Sequence, residues 1–362
     1  MSIVIAGLGI AVPEHFIEQD DAAARAHTLV TSSAKEQQMT AVLYRRSGVK
    51  TRHSVLLRAS TNGEPAKQDF FLPATGLTEN GPSTATRMQA YEETALELAT
   101  NAAEAALNDA NANRDAITHL VTVSCSGFSA PGVDLGLIEQ LGLPPSVART
   151  NVGFMGCHGA LNGLRVARAF AAADPNAVVL LMAVELCSLH YQYSADPQQL
   201  VANSLFADGA GALVIRTART QAPQVLGSGS HVVPDTRDLM SWRIGDHGFE
   251  MTLSPKVPEV IRSELHPWIE GWLAQYNLTL EDIAHWAVHP GGPRIVDACE
   301  TALGLERGGL DRSREILARY GNMSSPTVLF VLDELRRQSQ RGPCVLLGFG
   351  PGLAIEAALV QL

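Results

Sequence analysis

The run Ala177–Leu186, AVVLLMAVEL, has no polar face. A strand covered on one side alternates apolar and polar residues, whereas a strand covered on both sides reads as an unbroken apolar run. Thr118–Ser126 (THLVTVSCS) and Gly209–Thr217 (GAGALVIRT) have the same character. So does 343–360 (PCVLLGFGPGLAIEAALV), which reads as two strands paired about a Gly-Pro-Gly turn. The N-terminal SIVIAGLGIAVP reads as a strand and a turn. Between these runs lie stretches of helical period, 91–110 (YEETALELATNAAEAALNDA), 159–174 (GALNGLRVARAFAAAD) and 325–338 (SPTVLFVLDELRRQ). The segment 280–290 (LEDIAHWAVHP) is expected to pass from a helix to a strand. Buried strands alternating with helices specify an α/β protein whose sheets are covered by helices.

A seam rich in Thr, Ser, Gly and Pro spans 217–236 and separates two stretches of similar make-up, 1–218 and 219–362. The segment 52–89 reads as an irregular excursion. Charge narrows the partners. With a formal net charge of −10 over 362 residues, neither nucleic acid nor an anionic membrane is expected as the main partner, because both need a basic face. No run approaches the ~20 apolar residues of a membrane span. The N-terminus lacks the basic region of a signal peptide. The five cysteines are scattered without a CxxC pair, which argues against a disulfide framework or a metal site and for a reducing, cytoplasmic setting.

AGLGIA holds a GxG after a strand, but Val12 occupies the third glycine position, so a tight strand exit is favoured over a dinucleotide site. Cys157 lies in NVGFMGCHGALNGL, where the 159–174 helix opens. A helix N-terminus favours thiolate over thiol, and the flanking glycines permit close approach of a ligand. A buried cysteine acting as a small hydrophobe is an equal alternative on this segment alone. Adjacent residues of a helix do not share a face, so His158 is a poor base for Cys157 and reads as a packing residue. His289, ending an apolar run before PGGP, stands at a strand end where sites form. Asn322 in YGNMSSPTVLF precedes a helix, either as a cap or as a donor to an oxyanion.

GCHGALNGL, HPGGP, YGNMSS and GFGPGL, in this order and spacing, resemble the type III polyketide synthases, the chalcone and stilbene synthase superfamily of the thiolase fold. THLVTVSCSGFSAPGVDLGLIEQLGL and SLFADGAGALVI are similar to this family too, so the resemblance covers nearly the whole chain. It implies a five-layered αβαβα fold of two pseudo-duplicated halves, 1–218 with the nucleophile and 219–362 with the catalytic His and Asn. It also implies a homodimer. The implied substrates are an acyl-coenzyme A starter and malonyl-coenzyme A, with no metal or redox cofactor. Cys157 would be a thiolate paired with His289 and would carry the acyl group. His289 and Asn322 would stabilise the enolate left by decarboxylation.

The family clamps coenzyme A phosphates with three spaced basic residues. Arg46 matches one, while Met39 and Val42 fall on the other two. Arg45, Lys50 and Arg52 are candidates to compensate. For the aromatic gate of the family, Phe249 and Met251 compete, and Met251 aligns more naturally. Cys125, Ala130, Cys187, His190 and Trp242 differ from the plant pattern, and Gly292, Ser324, Gly350 and Pro351 complete the expected pocket. Small residues at Cys125 and Ala130 point to an extra channel, and Trp242 to fewer extension steps. The expected product is an alkylpyrone or alkylresorcinol from a fatty acyl starter. The alternatives are an aromatic or short-chain starter, or a single-condensation ketoacyl-carrier-protein synthase III-like enzyme.

Overall fold

The computed structural model describes residues 1–30, 33–59, 66–76, 79–219 and 222–362. Part of the seam (220 and 221) and part of the excursion (60–65, 77 and 78) lie outside the described residues. The first half runs β1 (Ser2–Ala11), β2 (Phe16–Glu18), α1 (Gln19–Leu29), α2 (Ala34–Arg46), β3 (Thr51–His53), α3 (Thr84–Asp109), β4 (His119–Ser124), α4 (Val133–Leu141), β5 (Ala148–Gly153), α5 (Gly159–Ala173), β6 (Val178–Leu186), α6 (Pro197–Leu205) and β7 (Asp208–Ala218). The second half runs β8 (Gln224–Val232), β9 (Met240–Gly245), β10 (Gly248–Leu253), α7 (Val257–Ala274), β11 (His285–Val288), α8 (Pro293–Ala302), α9 (Asp311–Tyr320), α10 (Thr327–Arg337), β12 (Pro343–Gly350) and β13 (Ala354–Gln361).

The two halves repeat one pairing scheme. In the first, β1 pairs antiparallel with β7, β7 antiparallel with β6, and β6 parallel with β4. In the second, β8 pairs antiparallel with β13, β13 antiparallel with β12, and β12 parallel with β11. A bridge between Val4 of β1 and Gln224 of β8 joins them in the order β11-β12-β13-β8-β1-β7-β6-β4-β5.

Successive residues of the central strands point into different cores, which is the pleat at work. Val179, Leu181 and Ala183 enter a core with α5 and α10, while Leu180, Met182 and Val184 enter one with α3 and α4. In the other half, Leu346 joins the α5/α10 core, while Val345 and Leu347 join one with α7 and α8. Three helical layers therefore enclose two sheet layers, the αβαβα stack of the thiolase fold. Unbroken apolar strands are what such a stack requires.

Several local expectations change. The 280–284 stretch forms turns, and the helix before β11 ends earlier, at Ala274. The GxG of β1 is a packing device, not a nucleotide loop. A Cβ on Gly7 or Gly9 would stand 2.2 or 2.3 Å from the carbonyl oxygens of Ala106 and Ala102, so α3 rests directly on the strand backbone. Gly271 of α7, by contrast, has open space around its Cβ position. Gly9→Ala must push α3 away and should cost about 2 kcal/mol or more in denaturant unfolding. Gly271→Ala should be neutral or stabilising by about 0.5–1 kcal/mol, from helix propensity alone.

Candidate active site

The buried middle layer decides where the chemistry sits. The segment 154–158 leads from β5 into α5, and 321–326 leads into α10. Both turn through left-handed backbone, with φ of 59° at Phe154, 84° at Gly156 and 55° at Ser324. Gly156 is obligatory, since a Cβ there would lie 2.6 Å from the Pro351 ring. The φ of Ser324 is one a non-glycine residue adopts at a cost, and such residues cluster at functional sites.

Cys157, His289 and Asn322 all line one buried chamber, walled by Leu205, Met240, Met251 and Phe349. Cys157, Cys125, Cys187, Trp242, Ser324 and Pro351 line a narrow extension of it. Ser324 Oγ lies 3.6 Å from Cys157 Sγ and 3.3 Å from Cys125 Sγ. Asn322 is held by its backbone, which donates to Leu205 O at 2.8 Å and accepts from Ala207 N at 2.9 Å. Its Oδ1 accepts from Ser324 N at 2.8 Å and its Nδ2 donates to Gly291 O at 3.4 Å, which leaves the second N–H of the amide to donate. Because α10 begins at Thr327, Asn322 is not its cap. His289 is 1% exposed, and neither ring nitrogen has a hydrogen-bond partner. A buried imidazole without partners is costly unless something enters to meet it.

Cys157 stands ahead of α5, whose cap is His158. Burial pushes the Cys157 thiol up to about 11, although Ser324 and Asn322 hold it down in part. Burial, aided by nearby His158, pushes His289 down to about 3. Burial thus opposes charge on both groups, and a thiolate here depends on what it meets in the chamber. His158 is buried, and its Nδ1 pairs with Asn162 Oδ1 at 2.7 Å. Its ring fills the space over Gly350, where a Cβ would come within 2.3 Å. Gly350 thus makes room for His158 and lines no cavity among the described residues.

One residue of consequence escaped the sequence reading. Glu185, fully buried at the end of β6, accepts hydrogen bonds from Cys125 N (2.9 Å), Ser126 N (3.0 Å), Ser126 Oγ (2.6 Å) and Ser325 Oγ (2.7 Å). It ties the end of β4 to the start of α10, under the catalytic cysteine. Burial raises its carboxyl, against those hydrogen bonds. A lone charge inside AVVLLMAVEL was the available signal.

Two channels meet the chamber. A corridor of about 400 Å³ shares Leu205, Leu253, Gly291 and Ile295 with it, and Arg46, Gly292 and Arg294 also line it. An apolar channel shares Ala202, Phe206 and Met251 with the chamber and runs between Ile17, Ala26, Leu29, Leu57 and Phe71. Cys187, His190, Trp242, Phe249 and Met251 are among the residues that line this apolar channel. Cys125 lines the narrow extension instead, and Ala130 lies exposed on the loop after β4. Of the two gate candidates, Met251 touches the chamber, while Phe249 lies against the His190 ring (4.1 Å, interplanar 12°). His190 is a structural pin. Its Nε2 donates to Ser126 O at 2.6 Å and its Nδ1 accepts from Phe249 N at 3.0 Å. Burial pushes it down to about 3, which keeps it neutral. Trp242 donates to Cys125 O at 2.7 Å and faces Met251 across the β9–β10 hairpin.

Of the compensating cations, Arg52 faces the apolar channel and donates to Asn203 O (2.6 Å) and Phe206 O (3.1 Å). Arg45 and Lys50 are exposed and line no cavity. Among the described residues no cluster of metal-ligating side chains occurs, and no helix is long and apolar enough to cross a membrane.

Family models match the chain end to end. The model for chalcone and stilbene synthases, N-terminal domain, matches residues 2–218, and that for the C-terminal domain matches 224–362. The chain is 34% identical to 1,3,6,8-tetrahydroxynaphthalene synthase of Streptomyces peucetius, over 99% of this chain and 92% of the relative. It is 32% identical to the alpha-pyrone synthesis polyketide synthase-like Pks18 of Mycobacterium tuberculosis, over 99% and 91%. Its structure superimposes on the crystal structure of PKS-I from the brown alga Ectocarpus siliculosus with a TM-score of 0.91 at 30% identity, covering 99% of this chain and 98% of that one.

The burial of this pair has a pH consequence. If His289 takes the Cys157 proton, the pH midpoint for iodoacetamide alkylation of Cys157 lies lower in the wild type than in His289→Gln. In that variant burial alone holds the thiol high. Equal midpoints would remove His289 as the proton acceptor.

Proposed function

The chain belongs to the chalcone and stilbene synthases, the type III polyketide synthases, and from that membership we propose that it extends a fatty acyl starter with malonyl-coenzyme A on Cys157. These enzymes are acyltransferases that use acyl-coenzyme A and malonyl-coenzyme A. The observation that carries the site assignment is that Cys157, His289 and Asn322, from distant segments, line one chamber where a corridor and an apolar channel meet.

Cys157 gives its proton to His289 as its sulfur attacks the starter thioester, and coenzyme A leaves with that proton. The acyl group remains on Cys157. Malonyl-coenzyme A then places its thioester oxygen against the second N–H of the Asn322 amide and against His289. Loss of carbon dioxide leaves an enolate, and these donors stabilise its oxygen in a site closed to water. The enolate carbon attacks the acyl-Cys157 carbonyl, the sulfur departs, and the chain emerges two carbons longer on coenzyme A. Repetition and cyclisation give the product. A thioester nucleophile and a decarboxylated malonyl unit supply the whole reaction, so no metal or redox cofactor is called for.

The fatty starter rests on the apolar channel. Its exposed lining is mostly apolar, with Ile17, Leu29, Leu57 and Phe71 beside the polar heads of Arg25 and Arg52, and it borders the chamber at Met251 and Trp242. An alkylpyrone or alkylresorcinol is the corresponding product class. We further infer a homodimer. β5 has one sheet neighbour and an exposed face, and Phe128, Phe154 and Met155 beside it are 36–41% exposed. Five buried free thiols support a reducing, cytoplasmic setting.

Labelled malonyl-coenzyme A with starters of graded chain length, followed by mass analysis, tests the reading. Several two-carbon extensions with preference for long acyl chains are expected. A preference for aromatic or short starters would replace the fatty starter, and a single condensation would indicate the synthase III-like alternative. Cys157→Ala should abolish acyl loading. Trp242→Gly should shift products toward more extensions, since the indole stands between chamber and channel.

A further inference from the structure

The corridor that reaches Gly291 is lined by two arginines, Arg46 at the end of α2 and Arg294 in the first turn of α8. Neither pairs with a carboxylate among the described residues. Arg294 donates only to Pro255 O, at 3.2 Å. On a chain of net charge −10, two exposed cations without counter-ions facing one cavity mark a place built for an anion. The helix axes agree. Pro197, Val257 and Pro293, the first residues of α6, α7 and α8, all line this corridor, so three helices direct positive ends toward it. Asp196 answers only its own helix, accepting from Gln198 N and Gln199 N. At the inner end stands His289, fully buried, with both ring nitrogens unpartnered.

We propose that Arg294 is a further coenzyme A phosphate-binding residue, joining Arg46, the one matched position of the family's clamp, and taking over the work of the uncharged positions Met39 and Val42. This rests on the reading of the chain as a coenzyme A thioester enzyme. Arg46 approaches the head from α2 and Arg294 from the lip of the HPGGP turn. The pantetheine arm then runs inward past Leu205, Leu253 and Gly291 to bring the thioester to Cys157. A guanidinium suits this place because its fork matches phosphate oxygens and it stays charged at every working pH.

Calorimetric titration with coenzyme A, 3′-dephospho-coenzyme A and pantetheine separates the phosphate contribution from the arm. Arg294→Ala should weaken coenzyme A binding about 5- to 20-fold, the range of one solvent-accessible charge-assisted contact. Arg46→Ala should do likewise, and Arg294→Lys should recover part of the loss. In turnover, the ratio of kcat/KM for malonyl-coenzyme A to that for a malonyl N-acetylcysteamine thioester, which lacks phosphates, should fall by a similar factor. The ratio should hold in Arg45→Ala, whose side chain faces away from the corridor. Wild-type coenzyme A affinity that survives unchanged in Arg294→Ala and in the double variant overturns the clamp and leaves the thioester reading standing. A wild-type protein with no affinity for coenzyme A overturns both.

Discussion

The molecule is organised by the burial of α5 and α10 between two sheets, because both helices begin at the same place. A helix enclosed on all sides leaves its first N–H groups with no water to meet. Here the two starts are brought together at the centre, one carrying Cys157 and the other Ser324 and Ser325. Glu185 reaches in from β6 and accepts from both the β4 end and Ser325. A carboxylate buried this deeply is tolerable because four donors point at it. Removing any of them would leave charge or dipole unanswered, so this network fixes the backbone around the nucleophile before substrate arrives.

Dryness has a second effect. Burial opposes charge on both Cys157 and His289, raising the one thiol and lowering the one imidazole at the reactive end of the chamber. Charge appears there only when a substrate brings a carbonyl to the amide nitrogen of Asn322, which is already oriented by the Ser324 N–H. A preoriented donor in a low-dielectric site acts on developing charge without reorganising.

Much of this was legible in the chain, for specific reasons. The doubly covered strands announced an α/β fold with helices on both faces of its sheets, since AVVLLMAVEL needs cover on both sides. Cys157, His289 and Asn322 were legible through short motifs whose glycines and prolines are needed by the backbone. Gly156 must accept Pro351, and Gly350 must accept His158. What failed to show depended on three-dimensional placement. Ala130 was assigned to a channel wall by analogy, and in the single chain it lies at the surface beside Phe128, on the face proposed for the dimer. Arg52 was counted near the coenzyme A head, yet β3 turns it toward the other cavity. Glu185 was a visible anomaly without an interpretation, because its donors come from segments far apart in sequence. Arg294 adjoins Arg46 only because α8 and α2 border one corridor.

The two channels divide the substrate by its own chemistry. An acyl-coenzyme A is an anionic head and a hydrocarbon tail joined at a thioester. The corridor with Arg46 and Arg294 suits the first, and the channel with Leu29, Leu57 and Phe71 suits the second. The hydrocarbon gains most from the apolar walls, and the phosphates gain most from the two arginines of the corridor. The thioester is then left at the one place common to both, beside Cys157. Orientation of the starter follows from where charge and hydrocarbon are tolerated. Specificity is thereby concentrated at the junction, where Met251 and Trp242 face each other across one hairpin. A change of volume at those two side chains alters which chains pass while leaving the chemistry of Cys157, His289 and Asn322 in place.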